Sequence, residues 1–453
     1  YQLEAARAEA QWARQRAASQ ESYRQLALVR LWQRIGQPDE AGALLASLKA
    51  DNPDDTEVLL HSARLERSES HYAQALSSYR DALAIERRNL PADGTAAPQP
   101  SSVTKIESDI ASIEGRRQSW VEVGQTGLRK SSTDGISSLH GWERPAVAWF
   151  PRGYDGLYFL HVDQVHLDAG ALPRNASDAM SYGQVAAWPS ARYPTTGAHS
   201  KADGFNVGFG YQADRWQWDI GTTGAGMPVT NVVGGVAHTG DWRDVGYRLE
   251  VSRRPLTRSL LAYGGAHDPV TGQTWGGVVA TGVSARASTN VGGFGASLSG
   301  NYAALTGKNV RSNTRWQLRA ALDRDVWRTP NQLVNLGAAL SFWGYARDLS
   351  EYSWGHGGYY SPNRYASIAL PLEWSGREGK WTWLLRASVS FSSSSSNAMD
   401  YFPTDPRLQA QANALGRSAV YTGGSSTGFG RSLRAVVEHQ LTSNLALGAQ
   451  FEM

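Results

Sequence analysis

The chain has 453 residues, which is long for a single domain, and its formal net charge of +3 is too small to indicate a surface for nucleic acid or another polyanion. It contains no cysteine, so disulfides, thiolate metal sites and cysteine nucleophiles are excluded. No apolar run approaches the roughly 20 residues of a membrane-spanning helix.

Tryptophan and glycine are distributed unevenly along the chain. Of 17 Trp, only Trp12 and Trp32 precede Trp120, and of 47 Gly only four precede residue 119. Two different architectures are therefore expected. Tyr1 falls inside a helical pattern with no signal peptide before it, so we expect the sequence to be part of a longer precursor.

The first 88 residues are rich in Ala, Leu, Arg, Glu and Gln, which favour helices. A 34-residue period runs from Glu21 to Arg88, with small residues where paired helices would pack closely, as in tetratricopeptide repeats. Because about three repeats are needed for stability, we expect the end of a longer solenoid; an ordinary helical hairpin is the alternative. The positions that carry the repeat are Gly36, Ala41, Pro53, Ala75, Tyr79 and Ala82.

The segment 89–118 is predicted to be a linker that ends in a short helix. Residues 89–105 are rich in Pro, Gly, Ala and Ser, and Ile106, Ile110 and Ile113 then recur at helical spacing. We therefore divide the chain into helical repeats at 1–88, a linker with an amphipathic helix at 89–118, and a third region at 119–453.

From Trp120 onward apolar and polar residues alternate with a period of two, which predicts β-strands with one apolar face. In one such strand Leu336, Leu340 and Phe342 share a face, while Trp343 and Tyr345 lie on the other. We predict fifteen strands near residues 119–128, 142–150, 157–168, 204–212, 215–223, 231–239, 244–254, 274–286, 291–301, 314–325, 333–346, 364–375, 380–392, 427–440 and 444–453.

Long and short connections alternate between these strands. Strands of about 10 residues with aromatic ends, long loops on one side and short turns on the other are typical of outer-membrane β-barrels, whose short turns are periplasmic. Because bacterial barrels have an even number of strands, we expect a sixteenth beyond Met453. The predicted fold class is thus α plus membrane β: the C-terminal part of a tetratricopeptide α-solenoid, followed by a 16-stranded antiparallel outer-membrane β-barrel.

If the apolar faces meet lipid, the polar faces line an interior with arginines and carboxylates in near balance. Such a lining lacks the excess of positive charge expected of a polyanion channel and favours a neutral or weakly charged passenger. The alternative is that these charges are ion pairs that only stabilise a polar core. The predicted lumen residues are Asp163, Asp219, Arg248, Glu250, Arg254, Arg315, Arg319, Asp323, Arg386, Arg434 and Glu438.

Trp343 and Tyr345 are aromatic residues on this polar face. Aromatic rings can stack on the C–H faces of sugars, so a carbohydrate-binding role is predicted. The alternative is a pair of core aromatics packed beneath a folded-in loop. His161 and Asp163 share a face but have no third ligand near them in sequence, and no catalytic grouping is recognisable. We therefore expect a protein that is not an enzyme and has no metal or cofactor.

Several motifs in the strand region resemble the cellulose synthase operon protein C family, the outer-membrane cellulose export subunit. They are WGY at 343–345, YSWGHGGYYSP at 352–362, RRP at 253–255, LTGKNV at 305–310, WQWDIGTT at 216–223 and GGSSTGFG at 423–430. The resemblance implies a periplasmic tetratricopeptide solenoid and a 16-stranded barrel that secretes β-1,4-glucan. It implies lumen positions for Asp163, Trp343 and Tyr345, and an extracellular loop or gate formed by Tyr352, Trp354, Tyr359, Tyr360 and Pro362.

The predicted function is therefore passive export of cellulose across the Gram-negative outer membrane, one pore per chain. The resemblance implies as partners the β-glucan itself, outer-membrane lipid, and the inner-membrane cellulose synthase complex or other periplasmic components, with peptidoglycan as a further candidate and no nucleic acid. The alternatives are export of a poly-N-acetylglucosamine-type polymer, which a more acidic lumen would favour, and a barrel-anchored scaffold for assembly or adhesion.

Overall fold

A computed structural model describes residues 22–34, 37–88, 101–194 and 199–453. The chain divides into two compact units, one formed by Tyr1–Trp120 with Trp149–Tyr158 and the other by Val121–Ala148 with Phe159–Met453. No helix among the described residues is both long enough and apolar enough to cross a membrane.

The described part of the first unit is mainly helical. Its helices are α1 (Ser22–Arg34), α2 (Pro38–Asp51), α3 (Thr56–Ser68), α4 (Tyr72–Arg88) and α5 (Ser101–Glu114). The Asp55 side chain accepts hydrogen bonds from the N–H groups of Glu57 and Val58 and so caps the N-terminus of α3. Ser70, at the turn before α4, has a φ of 65°.

The repeat positions predicted from sequence occupy matching places in the two helix pairs. Ala41 in α2 and its equivalent Ala75 in α4 are both fully buried, as is Ala82, while Tyr79 is 1% exposed. These small side chains allow close helix packing. Pro53 is exposed between α2 and α3, and Gly36 lies outside the described residues.

Helix α5 packs against this helical unit and begins earlier than predicted. Ile106 and Ile113 are buried in one cluster with residues of α3 and α4. The helix starts at Ser101, so residues 101–105 are helical rather than part of the linker. Val103 is fully buried and extends the apolar face of the helix one turn toward its N-terminus. The Ser-rich composition of residues 101–105 concealed this turn in the sequence.

The remainder of the described chain is dominated by one antiparallel sheet of fifteen long strands, which confirms the predicted fold class. The first strand is interrupted at residues 124–125 and forms β1 and β2, rather than the continuous 119–128 that was predicted. The strands are β1 (Trp120–Val123), β2 (Thr126–Lys130), β3 (Leu139–Arg152), β4 (Gly156–Ala171), β5 (Tyr182–Gly183), β6 (His199–Ala213), β7 (Trp216–Ala225), β8 (Asn231–Trp242), β9 (Val245–Pro255), β10 (Ala266–His267), β11 (Thr274–Val291), β12 (Phe294–Lys308), β13 (Asn313–Arg328), β14 (Gln332–Tyr345), β15 (Tyr352–Ser353), β16 (Arg364–Glu378), β17 (Trp381–Ser396), β18 (Met399–Asp400), β19 (Val420–Tyr421), β20 (Gly424–Thr442) and β21 (Leu445–Glu452).

Two short helices, α6 (Leu260–Gly264) and α7 (Pro406–Ala414), and the five two-residue strands lie in the long connections and were not predicted. They are too short to carry a recognisable period. Several long strands also extend beyond their predicted ends, because the alternation fades toward the loops; β11, for example, continues to Val291 rather than 286.

The sheet is wrapped into a barrel. Arg417, in the connection between β17 and β20, donates hydrogen bonds of 2.9 Å to the carbonyls of Val185 and Ala186, in the connection between β4 and β6. Ten inter-strand steps of about 4.8 Å separate β4 from β17 through β11, so a flat sheet would hold these connections roughly 48 Å apart. Direct contact between them is the arrangement expected of a sheet that curves back on itself.

The two faces of the sheet differ as predicted from the alternation. On β14, Leu336, Leu340 and Phe342 are 47%, 45% and 43% exposed, whereas Tyr345 on the other face is 8% exposed. The apolar parity thus points outward, and the polar parity points into the barrel, where the long connections fold over it.

Candidate functional site

The polar face of the barrel joins arginines to carboxylates both within a strand and between strands. Arg254 on β9 donates hydrogen bonds of 2.5 and 2.6 Å to the two carboxylate oxygens of Asp219 on β7. Arg248 donates to Gln217 at 3.0 Å and to Glu250 at 3.3 Å. The bidentate pairing of Arg254 with Asp219 fixes the geometry of both side chains.

The other lumen residues predicted from sequence also lie on this face, most with a polar partner. Asp163 accepts from Asn206 at 3.4 Å and contacts the His161 ring nitrogen at 3.0 Å. Glu438 shares the face of Arg434, because each lies opposite a polar-face residue of β17. The remaining pairs are Arg315 with Asn301, Arg319 with Ser341, Asp323 with Asn335, Arg386 with Glu373, and Arg434 with Gln450.

Trp343 is the centre of an aromatic cluster on the polar face. Its ring stacks on Tyr365 of β16 with centroids 4.4 Å apart and an interplanar angle of 23°. Tyr360 meets it edge-on at 5.8 Å, as does Tyr345 at 5.9 Å. Trp343 and Tyr365 are directly opposite each other in the register of β14 and β16, which brings the rings together.

A cavity of about 530 Å³ lies beside this aromatic pair. Hydroxyl, amide and guanidinium groups from six consecutive strands surround it, so its wall offers both hydrogen-bond donors and acceptors next to an aromatic surface. Its lining includes Arg248, Ser284, Arg286, Ser299, Asn301, Gln317, Arg319, Ser341, Trp343, Tyr365 and Ser367.

Tyr345 does not offer a comparable surface. It is 8% exposed and packs in a cluster with Val278, Leu305 and Leu349. The Tyr359 ring lies 5.7 Å away. This is the arrangement that the alternative interpretation predicts, an aromatic residue packed beneath a folded-in loop, so Tyr345 acts as a support for the loop that follows it.

That loop, residues 346–363, is mostly buried. Tyr352, Trp354 and Tyr359 are 7%, 7% and 4% exposed, Pro362 is buried, and Tyr360 is 56% exposed. Of the residues predicted as a gate, only Tyr360 therefore presents its ring to the open interior, where it meets Trp343.

Hydrogen bonds from the start of β13 hold this loop near both of its ends. The Asn313 amide donates to the carbonyl of Arg347 at 2.8 Å and to the hydroxyl of Tyr359 at 3.1 Å, and its oxygen accepts from the N–H of Arg347 at 3.0 Å. Burial raises the pKa of Tyr359, so its hydroxyl stays protonated.

The middle of the loop joins connections from other parts of the barrel. Tyr352 and Ser353 form a short parallel pairing with Tyr182 and Gly183 of the β4–β6 connection. The Ser353 hydroxyl donates to the carbonyl of Tyr401 at 2.7 Å, and the Ser259 hydroxyl donates to the carbonyl of Gly358 at 2.6 Å. Loop 346–363 is thus the hub of a cap, which we define as this loop together with residues 172–194, 256–273 and 397–423.

Some of the site was missed from sequence although the alternation could have found it. Tyr365 and Arg286 share the polar parity of their strands, with Ser367 and Ser284 respectively, so a systematic application of the period would have assigned both to the interior. The contacts of Asn206 had no such signal. Asn206 accepts hydrogen bonds from Tyr263 at 2.8 Å and from Thr223 at 2.9 Å, and only the inward fold of α6 brings Tyr263 to it. The described residues hold no cluster of three metal-ligating side chains.

Comparison with known proteins decides the family. Residues 137–453 match the family model described as the C-terminus of cellulose synthase operon protein C. The chain belongs to the cellulose synthase operon protein C family. This confirms the resemblance inferred from the motifs at 216–223, 305–310, 343–345 and 352–362.

The relatives are longer than this chain. Cellulose synthase operon protein C of Salmonella typhimurium is 36% identical over 355 residues, covering 77% of this chain and 30% of the relative. The protein of that name from Escherichia coli strain K12 is 33% identical over 429 residues, covering 90% and 36%. Cellulose synthase 2 operon protein C of Komagataeibacter xylinus is 30% identical over 379 residues, covering 83% and 28%. The chain therefore spans about a third of the length of these relatives.

Solved structures with some similarity are more distant. A structure described as a bacterial polysaccharide outer membrane secretin aligns with a TM-score of 0.42 and 11% identity, covering 74% of this chain and 91% of its own. OmpT of Vibrio cholerae aligns with a TM-score of 0.32 and 9% identity, covering 74% and 98%.

Proposed function

We propose that this chain forms an outer-membrane pore through which a β-1,4-glucan, cellulose or a lightly modified form of it, leaves the periplasm. The observation that carries the proposal is the stacked pair Trp343–Tyr365 beside a cavity of about 530 Å³ whose wall is rich in hydroxyl, amide and guanidinium groups. Membership of the cellulose synthase operon protein C family supplies the polymer class.

The outward face supports a place in a membrane. Trp327 and Trp374 lie outward near the short turns and are 50% and 36% exposed, while Tyr302 and Trp316 lie outward near the long loops and are 56% and 47% exposed. From Trp316 to Trp327 the strand rises about 36 Å. With a strand tilt of about 40°, the two aromatic levels are roughly 27 Å apart along the barrel axis, close to the ~25 Å apolar band of outer-membrane barrels.

The interior chemistry suits an uncharged sugar polymer. Ring faces such as those of Trp343 and Tyr360 can stack on the C–H faces of glucose units, and the surrounding polar groups can bond the hydroxyls. Arg254 and Arg386 are engaged with the carboxylates of Asp219 and Glu373, and the arginines and carboxylates predicted to line the interior are in near balance, so no strong field of one sign develops. This balance also favours glucan over a partly cationic poly-N-acetylglucosamine.

The pore is passive in this proposal, because the barrel lining offers no source of energy, and the force comes from polymer synthesis at the inner membrane. The helices α1–α4 are the periplasmic end of a tetratricopeptide array that guides the polymer or docks the cellulose synthase complex and other periplasmic components, with peptidoglycan as a further candidate. Each chain forms one pore, and residues 1–88, 89–118 and 119–453 serve as repeats, linker and barrel.

Loop 346–363 acts as the exit gate, held closed at rest by the other cap connections. Its buried contacts with residues 172–194, 256–273 and 397–423 mean that opening requires several connections to separate together. Tyr360, the exposed ring of the loop beside Trp343, is placed to meet the polymer first.

Calorimetric titration of the full chain in detergent with cellohexaose tests the proposal. The double variant Trp343→Ala with Tyr365→Ala removes two stacking surfaces worth about 0.5–1.5 kcal/mol each, so the affinity should fall about ten-fold. Trp381→Ala, which removes an outward tryptophan that is 51% exposed, is the matched control and should leave the affinity unchanged. Equal affinities for a correctly folded double variant and the parent chain would rule out the stacking site, and maltohexaose serves as the α-linked comparison.

A further inference from the structure

The outward face of the barrel carries an apolar groove with a volume of about 520 Å³ on strands β11 to β16. The large side chains along it are well exposed: Leu298, Leu322, Leu340 and Ile368 are 53%, 54%, 45% and 50% exposed. Such a concave surface is unlike the even apolar band of a barrel that only excludes water.

The strand register builds the groove. Leu298 lies opposite Ala320, and Ala320 lies opposite Leu340, so large and small outward side chains alternate from strand to strand. In the neighbouring row Leu322 lies opposite Ala338. Ala320 leaves a space between two leucines, and Ala338 leaves a second space beside Leu322 on the next strand, about 5 Å away.

An arginine stands at the short-turn end of this groove. Arg324 follows Leu322 on the same face, about 7 Å further along β13, and its guanidinium lies 5.3 Å from the Phe294 ring. The next carboxylate on the strand, Asp325, is paired with an arginine three residues on. Asp323 points to the opposite face, where an asparagine amide donates to it at 2.8 Å.

We propose that this groove binds an anionic phospholipid of the periplasmic leaflet, with an acyl chain between the leucines and the phosphate beside Arg324. The inference rests on the proposed membrane location, because short turns face the periplasm in outer-membrane barrels. A lipid-facing arginine costs about 2–4 kcal/mol at the midplane but roughly 0–1 near the interface, so its level beside the Trp327 girdle fits a headgroup contact. A cation next to an apolar trough matches one molecule that is acidic at one end and apolar at the other.

Native mass spectrometry of the full chain in detergent, titrated with phosphatidylglycerol or phosphatidylcholine, tests the charge. Arg324→Gln should weaken phosphatidylglycerol binding about five-fold, the effect of one arginine near a lipid phosphate, and should weaken phosphatidylcholine binding less, because the choline cation offsets the charge of that lipid's phosphate. Arg243→Gln is the matched control, because Arg243 also lies at a short turn with its guanidinium 5.6 Å from an outward tryptophan ring. It should change neither affinity.

A second pair of variants tests the groove itself. Ala320→Leu fills the space between two leucines and should weaken both lipids about ten-fold, because roughly two methylenes of acyl chain lose their contacts. Ala304→Leu adds the same volume on the same outward face of β12 near the long loops, outside the groove, and should have no effect.

The outcomes separate this site from its alternatives. Equal lipid affinities for all four variants and the parent would leave only unspecific annular lipid and overturn the proposal, and a dimer that Ala320→Leu dissociates would assign the groove to a second copy instead. Heat-modified migration on gels verifies that each barrel is folded. Failure of the parent chain to insert into bilayers would overturn the proposed pore, whereas a parent chain that binds cellohexaose but binds neither lipid would overturn this site alone.

Discussion

His356 in the cap should make loop 346–363 sensitive to acid. Its side chain is fully buried, and its Nε2 donates to the carbonyl of Asp400 at 2.9 Å. The ring meets Tyr421 edge-on at 5.2 Å. Its Nδ1 has no partner among the described residues, so a proton added there would be a buried charge without a counterpart.

The loss of closure free energy in acid follows from the pKa of this imidazole. Burial lowers the pKa of His356 to about 4, while the hydrogen bond to Asp400 and the charge of Asp348 act in the other direction. A solvated histidine has a pKa of about 6.5, so the opened loop binds a proton as pH falls through 6.5 while the closed loop stays neutral until about 4. Closure is therefore fully stable above pH 6.5 and should lose about 2.5 kcal/mol by pH 4.5.

The titration of three neighbouring groups must be separated from this effect. Burial, with repulsion from Asp348, raises the pKa of Glu351, so protonation of Glu351 stabilises the closed loop as pH falls. Its sign is opposite to that of His356. Burial raises the pKa of Tyr401 and of Tyr421, which stay neutral throughout the range.

The assay is hydrogen exchange of residues 347–363 at pH 7.5, 6.0 and 4.5, corrected for intrinsic exchange rates. In a Glu351→Gln background the protection free energy should fall by about 2.5 kcal/mol at pH 4.5. His356→Gln keeps a donor for the carbonyl of Asp400 but does not titrate. Adding this substitution to the Glu351→Gln chain should therefore make the protection free energy of residues 347–363 independent of pH. An unchanged pH dependence in the His356→Gln chain would refute the reasoning.

Two further predictions concern packing. Asn313→Ala leaves the buried hydroxyl of Tyr359 and the backbone of Arg347 without their partner, so closure of the loop should weaken by about 1–3 kcal/mol, measured as faster proteolysis within 347–363. Asn290→Ala, at an exposed position near the end of β11, is the control, and equal cleavage rates for the two variants would contradict the assigned role. Ala82→Leu overfills a fully buried helix contact and should lower the free energy of unfolding of the helical unit by about 1–3 kcal/mol in thermal denaturation, an expectation that an unchanged midpoint would contradict.

The strands and their faces could be read from sequence because the information is local. A residue's face follows from its parity within one strand, so the outward Leu340 and the inward Arg319 needed no knowledge of their neighbours. The same holds for the helical unit, where a 34-residue period assigns Ala41 and Ala75 to equivalent contacts. The family motifs are likewise contiguous runs.

Only the tertiary structure distinguished Trp343 from Tyr345, two residues apart on the same face. Trp343 meets Tyr365 through the register of a neighbouring strand and borders a cavity, whereas a loop folds back over Tyr345 and buries it. The pairing of Asp219 with Arg254, and the convergence of distant connections in the cap, depend in the same way on register and on closure of the sheet. Parity is a property of one strand, but contacts across strands and loops depend on how the whole sheet curves.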